Sequence, residues 1–573
     1  MKIKTILIKI VILLITSCAI LSIFYYMFSP VLNASSLVFP YAIHPFDIVS
    51  TYPDTWAKIK FYYFVSLFVS YSIIYFNLTK NFKLSFKNPI VSNKSKKTGL
   101  NLLVGLYNKE PIYLSERGLF QNILVTGTIG TGKTSSALYP FTEQLISYKA
   151  SSNKEKIAML VLDVKGNYFE KVLEFANSAN RLDDIISIDL SGTFKYNPLD
   201  KPDLSPIVLA NRLKTILTLF SPNSSESYWL DKAEQVLSEA IKFCRLYNDY
   251  YVTFRELHKL IMFPEYYSQK LSVVKDSFKA GRYSNEETYN LLSSIDFFEK
   301  EFFSLDSRTL SILKSEISRI TNVFVSDYKV SNVFCPQKSD INFYGFKEML
   351  SKGKIVVLNM NLSEYKNLSK IIASYLKLDF QTEVLSLLSK GPSKRISAFI
   401  SDEFQEYVTS TDADFLSQSR EAKCINIIAT QSYSSLKNAL KDENNTKVII
   451  QSVTNKLWFR TDDIYTIEEA QKLIGKEEKE KYSTTISENA RETRRNLITN
   501  RLISQNSNIS ESYNRYTQTD YKFDTNYFSR DLKTFNCLAF LSDGFKILEP
   551  MNLQMIPYYE KEKYMKGTFM NEK

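Results

Sequence analysis

Residues Gly127 to Thr134 read GTIGTGKT and follow the apolar run Ile123 to Thr126. A G-x-x-x-x-G-K-[ST] string between a buried strand and a helix constrains the fold more than any other stretch of this chain. It calls for an α/β layer in which the strand brings the loop to a sheet edge and the helix begins there. Glycines at 127, 130 and 132 let the backbone wrap a phosphate with its N–H groups pointing inward. The cradle comprises Gly127, Thr128, Ile129, Gly130, Thr131, Gly132, Lys133, Thr134 and Ser135. Within it the Lys133 ammonium can reach β- and γ-phosphates, and the Thr134 hydroxyl can hold Mg²⁺. The expected ligand is ATP with Mg²⁺.

Strand candidates recur at Ile123–Thr126, Ala158–Asp163, Ile355–Met360, Ala398–Ser401, Ile425–Thr430 and Leu457–Arg460. Helical stretches alternate with them, which predicts a mainly parallel sheet covered on both faces. From about 205 to 305 the spacing is helical throughout, as in Trp229, Ala233, Val236, Leu237 and Ala240, so an all-α domain is expected there. The motor is then split into 81–204 and 306–560, with a C-terminal tail at 561–573. Residues 475–527 are polar, with Arg491, Arg494, Arg495 and Arg501 clustered, and read as an exposed or partly mobile excursion. Strand-like material returns from Cys537 to Tyr559, with Asp543-Gly544 marking a hairpin turn.

Ahead of the motor, residues 1–80 read as a membrane anchor. Two apolar segments, about 10–28 and 61–78, approach the ~20 residues that cross a hydrocarbon core, and a signal peptide is the alternative for the first. Lysines on the outer sides of both spans put the N-terminus and the main body in the cytoplasm, at the cell membrane. The formal charge of +11 is tempting evidence for nucleic acid, but residues 1–117 supply +9 of it, with thirteen basic against four acidic residues. Lys80, Lys83, Lys87, Lys94, Lys96 and Lys97 form a run without an acid just after the second span. Such a run serves membrane orientation or lipid contact first, and DNA contact second. The cysteines (Cys18, Cys244, Cys335, Cys424, Cys537) are scattered and the two histidines isolated, so neither zinc chemistry nor a disulfide frame is expected.

A phosphate loop alone leaves kinases, GTPases and transporters open. The second signal is Ser401-Asp402-Glu403 after an apolar strand. Asp402 at a strand tip can orient Mg²⁺, and Glu403 beside it can polarise the attacking water. Asp163, in LVLDVKGN, also ends a strand and competes for the metal role, but Val-Lys-Gly follows it rather than a second acid. Gln431 ends the next strand candidate, where its amide can sense the γ-phosphate and the water. Arg420 lies on a polar stretch with Glu421 and Lys423, and such an arginine can neutralise transition-state charge in a neighbouring subunit's site.

With these residues in order, the chain resembles the type IV coupling proteins (TraG/TraD-like), membrane-anchored ATPases of conjugation and type IV secretion. The resemblance spans nearly the whole chain. It includes the two spans, GTIGTGKT, Asp163 to Gly166, Tyr196-Asn197-Pro198-Leu199, Tyr228-Trp229 with Ala233, Asp402-Glu403, Arg420 and Gln431. Two departures stand out: Asn167 replaces a frequent Glu, and Val164 a frequent Pro. The resemblance implies a RecA-like P-loop NTPase motor with an inserted all-α domain and a two-helix transmembrane anchor. It also implies a homohexamer with nucleotide at subunit interfaces, and an insert that helps recognise a relaxase–single-stranded DNA complex for delivery to the secretion channel. Delivery of protein effectors without DNA, a double-stranded DNA pump of the FtsK/HerA type, and a receptor using ATP as a switch are the competing readings.

Overall fold

The computed structural model describes residues 99–560, apart from 164–165, 167, 221–226, 361–364, 366, 391–394, 490–493, 496–501 and 504–507. Before residue 99 it describes only Asp54 and Val65. The expected anchor and basic run therefore lie outside the described residues, as do Val164, Lys165, Asn167, Arg491 and Arg501. Among the described residues no helix is long and apolar enough to cross a membrane.

The strands are β1 (Asn101–Tyr107), β2 (Glu110–Ser115), β3 (Ile123–Thr126), β4 (Ala158–Leu162), β5 (Ile185–Ile188), β6 (Ile355–Leu358), β7 (Ser397–Ser401), β8 (Cys424–Thr430), β9 (Asn455–Trp458), β10 (Lys476–Asn489), β11 (Arg494–Arg495), β12 (Leu502–Ile503), β13 (Asn508–Tyr521), β14 (Asn536–Phe540) and β15 (Met551–Gln554). One sheet runs β2-β1-β15-β14-β9-β3-β8-β7-β4-β6-β5. From β9 to β5 every pairing is parallel, and the remaining strands add antiparallel to β9. The parallel strands are mainly apolar runs such as ILVT, AMLVL and IVVL, with every residue of these three buried. Strands covered by helices on both faces have that composition.

Helix α1 (Tyr139–Ser147) continues one turn of π-helix, Thr134–Leu138, and α2 (Tyr168–Ser178) follows β4. Among the described residues, the regular structure between β5 and β6 is helical. It includes α3 (Pro206–Thr218), α4 (Ser227–Tyr247), α5 (Phe254–Met262), α6 (Pro264–Lys279), α7 (Asn285–Asp296) and α8 (Ser307–Thr321). The periodicity predicts an insert ending at 305, whereas helices continue to Lys352. Leu313, Ile317 and Ile320 of α8 are buried in the same core as Leu237, Ala240 and Phe243 of α4 and as Leu124 and Leu160 of the sheet.

The Tyr196–Leu199 motif forms the joint between sheet and insert. The Asn197 amide donates to the Val252 carbonyl at 2.8 Å, and the Pro198 carbonyl accepts from the Tyr375 hydroxyl at 2.7 Å. Tyr375 belongs to α9 (Asn367–Ser386), whose buried polar side chains Lys377, Asp379 and Gln381 bind elements on either side. After β7 come α10 (Asp412–Gln418) and, beyond β8, α11 (Tyr433–Leu440).

The described part of the polar excursion includes a β-ribbon. β10 and β13 pair antiparallel without a register break from Lys476↔Tyr521 to Asn489↔Asn508. Its sequence, KEEKEKYSTTISEN, has no apolar face to reveal the two-residue period, but Tyr, Thr and Ile suit extended backbone. The expected hairpin at Asp543-Gly544 joins β14 to β15; Gly544 has φ 97° and Asp543 donates from its N–H to the Lys546 carbonyl at 3.1 Å. The four described cysteines are free and buried.

Candidate nucleotide site

The carboxyl ends of the parallel strands carry the site, as is general for open α/β sheets. β3 ends in the phosphate loop, β8 in Gln431, β7 in Asp402-Glu403 and β4 in Asp163. In sheet order β8 lies directly beside β3, with β7 one strand further out and β4 beyond it. The amide-bearing strand is thus the loop's immediate neighbour, and the acidic strand its second.

A cavity of about 300 Å³ is lined by Thr128 to Ser135 together with Tyr139, Asp163, Asp402 and Glu403. Gly130 and Gly132 have φ of 78° and 95°, which side-chain-bearing residues rarely adopt. A Cβ at Gly132 would also collide with the Phe535 ring. The loop is held on two sides. Thr128 donates from its N–H (3.0 Å) and its hydroxyl (3.1 Å) to the carbonyl of Arg460, just past β9. Phe535 donates from its N–H to the Thr131 carbonyl at 3.1 Å. Lys133 is buried, with its ammonium donating to the Gly127 carbonyl.

The Thr134 hydroxyl donates to Oδ2 of Asp402 at 2.8 Å. Asp402 is 2% exposed, and its Oδ1 accepts the Glu403 N–H at 2.9 Å. Glu403 itself sits at φ 49°, ψ 48°. A non-glycine residue in that left-handed region is held there by its surroundings, and such strain concentrates at functional sites. Its Oε2 accepts from the amides of Gln405 (2.6 Å) and Gln431 (3.1 Å). Beneath this turn, the buried Tyr407 hydroxyl donates to the Asp402 carbonyl at 2.7 Å and lies 2.7 Å from the Ser401 hydroxyl.

Asp163 lines the same cavity but also caps α2, accepting the Tyr168 N–H at 3.2 Å. Tyr139 faces both acids. Burial, then the Asp163 and Asp402 charges, push its phenol up to about 12, so it stays protonated and able to donate. Two hard oxygen atoms, from Thr134 and Asp402, meet in a cavity beside a phosphate loop; that donor set fits Mg²⁺. Among the described residues no cluster of three His, Cys, Asp or Glu suits a metal held by side chains alone.

The fold brings together the phosphate loop, Asp402, Glu403 and Gln431. Arg420 stands apart: it is exposed, in the turn that precedes β8, and so at the opposite sheet edge from this cavity. Sequence reasoning missed Tyr139, Tyr407, Arg460 and Phe535. Only Tyr139 carried a local signal, one helical turn beyond Thr134.

A family model described as the TraM recognition site of TraD and TraG matches residues 397–519, from the start of β7 into β13. No curated protein sequence matches the chain. Among solved structures the chain is similar to the bacterial conjugative coupling protein TrwBdeltaN70 in its unbound form, with 13% identity over 80% of this chain and 89% of that one (TM-score 0.54). It is also similar to the plasmid coupling protein TrwB with ADP and Mg²⁺ (13% identity, 78% and 87% covered, TM-score 0.53). The same protein with the non-hydrolysable GTP analogue GDPNP matches at 13% identity, with 78% and 88% covered and a TM-score of 0.52. At such identities the likeness is one of fold, a mixed α/β architecture. Residues 397–519 thus match a segment typical of TraD and TraG, and the chain as a whole is similar in fold to the TrwB coupling protein.

Proposed function

We propose that this chain is a membrane-anchored coupling ATPase that recruits relaxase-bound single-stranded DNA and drives it to a type IV secretion channel. The observation that carries the reading is the pairing of Thr134 with Asp402 at 2.8 Å, beside Glu403 held by Gln431 at 3.1 Å. Loop N–H groups and Lys133 bind the phosphates, and Thr134 with Asp402 hold Mg²⁺. When bound, the cation neutralises charge on the β- and γ-phosphates. Glu403 accepts a proton from the attacking water, and Gln431 orients Glu403 and that water. Arg420 is exposed before the start of β8, away from this cavity, and we assign its charge to the site of the next subunit of a homohexamer, as the family resemblance implies. TrwB structures with ADP and Mg²⁺ and with the ATP analogue ADPNP support nucleotide and magnesium as ligands.

The name of the matched family, a TraM recognition site, supports docking of a relaxosome-type partner within 397–519. The apolar segments at 10–28 and 61–78 support anchoring in the cytoplasmic membrane with the motor inside. The test is Mg²⁺-dependent ATP hydrolysis by the full chain, which should rise with single-stranded DNA, fall as salt is added, and vanish in Lys133→Ala together with conjugative transfer. Normal transfer by Lys133→Ala would overturn the motor reading. Hydrolysis indifferent to DNA would move the cargo to proteins.

A further inference from the structure

The phosphate loop accounts for the phosphates of a nucleotide and leaves its base without a wall. The C-terminal strands supply aromatic rings where such a wall would stand. Phe535 immediately precedes β14 and has φ 62°, a left-handed conformation that is strained for a non-glycine residue. It is held there by two backbone bonds: its N–H to the Thr131 carbonyl (3.1 Å), and the Met555 N–H to its own carbonyl (2.7 Å). The ring lies so close to Gly132 that no side chain would fit there. Tyr559, 58% exposed, stands 6.5 Å from Phe535 at 78° between ring planes. Its neighbour Tyr558 packs edge-on against Tyr139 at 5.4 Å, and Tyr139 lines the phosphate cavity.

We propose that Phe535 and Tyr559 form the subsite for the nucleotide's base, which lies against their rings while the phosphates occupy the loop. Three features favour this over a purely structural clamp. The strained residue presents a large half-buried ring beside the loop, where a clamp needs only the Phe535 N–H. Tyr559 leaves more than half its surface open next to that ring, and an exposed aromatic is a stacking platform with little ordering cost. Finally, Tyr558 meets Tyr139, which lines the phosphate cavity, and Tyr559 meets Phe535, so 558–559 connect that cavity's wall to the Phe535 ring. The inference rests on the loop being a nucleotide site and deepens it.

The test compares Mg·ATP with Mg·tripolyphosphate, which has the phosphates and no base, by calorimetry on the full chain. Wild type should bind ATP the more tightly. Phe535→Ala should weaken ATP on the order of tenfold and tripolyphosphate by less than about twofold, as base–aromatic stacking predicts. Phe535→Trp should restore ATP binding. Tyr559→Ala removes an exposed ring that the fold does not need, and should weaken ATP about threefold, again sparing tripolyphosphate. Equal losses for both ligands would make Phe535 a clamp and overturn the base subsite alone. Unchanged ATP binding in both alanine variants would do the same. Failure of wild type to bind either ligand would overturn the phosphate-site reading, and this inference with it.

Discussion

Two sets of buried carboxylates lie along the same stretch of chain and are employed in opposite ways. Asp402 and Glu403 stand at a strand end and line an open cavity; their neighbours include hydroxyls and amides from Thr134, Gln405 and Gln431. Asp379 and Asp412 are fully buried among helices, the first facing two cations and the second one. Asp379 accepts from Lys201 and Arg212 at 2.9 Å each, and from the Tyr196 hydroxyl at 2.5 Å. Burial alone would raise its pKa, but the two cations outweigh it and hold the group below the usual carboxylate range. Asp412 pairs with the fully buried Lys377 at 2.5 Å and accepts from Gln381 at 2.7 Å. Burial therefore does not distinguish a catalytic acid from a structural one. What differs is that Asp402 and Glu403 line an open cavity, whereas Asp379 and Asp412 are packed against buried basic side chains.

The largest separation between the two sets is expected from Glu403→Gln. Loss of the general base should lower the hydrolysis rate on the order of 100- to 10,000-fold while ATP still binds and the melting temperature barely moves. Weak ATP binding by that variant would mean the role is misassigned. The variant also tests Arg420: mixed with Arg420→Ala subunits it should regain part of the rate if Arg420 completes a neighbour's site. No recovery at any ratio would count against action across subunits.

Asp412→Ala should behave in the converse way. It leaves the Lys377 ammonium buried without its partner, at a cost of about 3–5 kcal/mol, read as a marked fall in melting temperature. Replacing both residues, as Lys377→Met with Asp412→Leu, should recover most of the loss, because the penalty belongs to the stranded charge. A double variant as unstable as the single would show that the pair contributes more than charge balance.

The same contrast explains what the sequence disclosed. Asp402-Glu403 and Gln431 were legible because each follows an apolar run that could only be a buried parallel strand, and strand ends meet at one edge. Asp379 was hidden inside a helix whose face toward the insert depends on tertiary packing. The parallel strands read clearly as unbroken apolar runs, whereas β1 and β2, with mixed burial and a register shift between Leu103 and Gly105, did not. The ribbon of β10 and β13 escaped notice because its alternation is polar on both faces. Phe535 reaches the loop only through the pairing of β14 in the sheet, a relation that no local spacing encodes.

Tyr407 belongs to both sets and makes the finest test of their independence. Its hydroxyl supports the Asp402 carbonyl at 2.7 Å, while its own carbonyl accepts the Lys377 ammonium at 2.7 Å. Tyr407→Phe deletes the first contact and keeps the second, since the backbone carbonyl is untouched and the ring still fills its buried place. Loss of a buried hydrogen bond should lower stability by about 1 kcal/mol. If the hydroxyl holds Glu403 in its left-handed turn, the rate should also fall, by about three- to tenfold, with KM unchanged, since misplacing the base affects the chemical step and not phosphate binding. A rate equal to wild type would show that Asp402 and Glu403 keep their geometry without help from below. A raised KM at constant rate would place the effect in the phosphate loop. The expected split, a lower rate at constant KM with the Lys377–Asp412 pair intact, would make Tyr407 a positioning residue through which the structural pair supports the catalytic one.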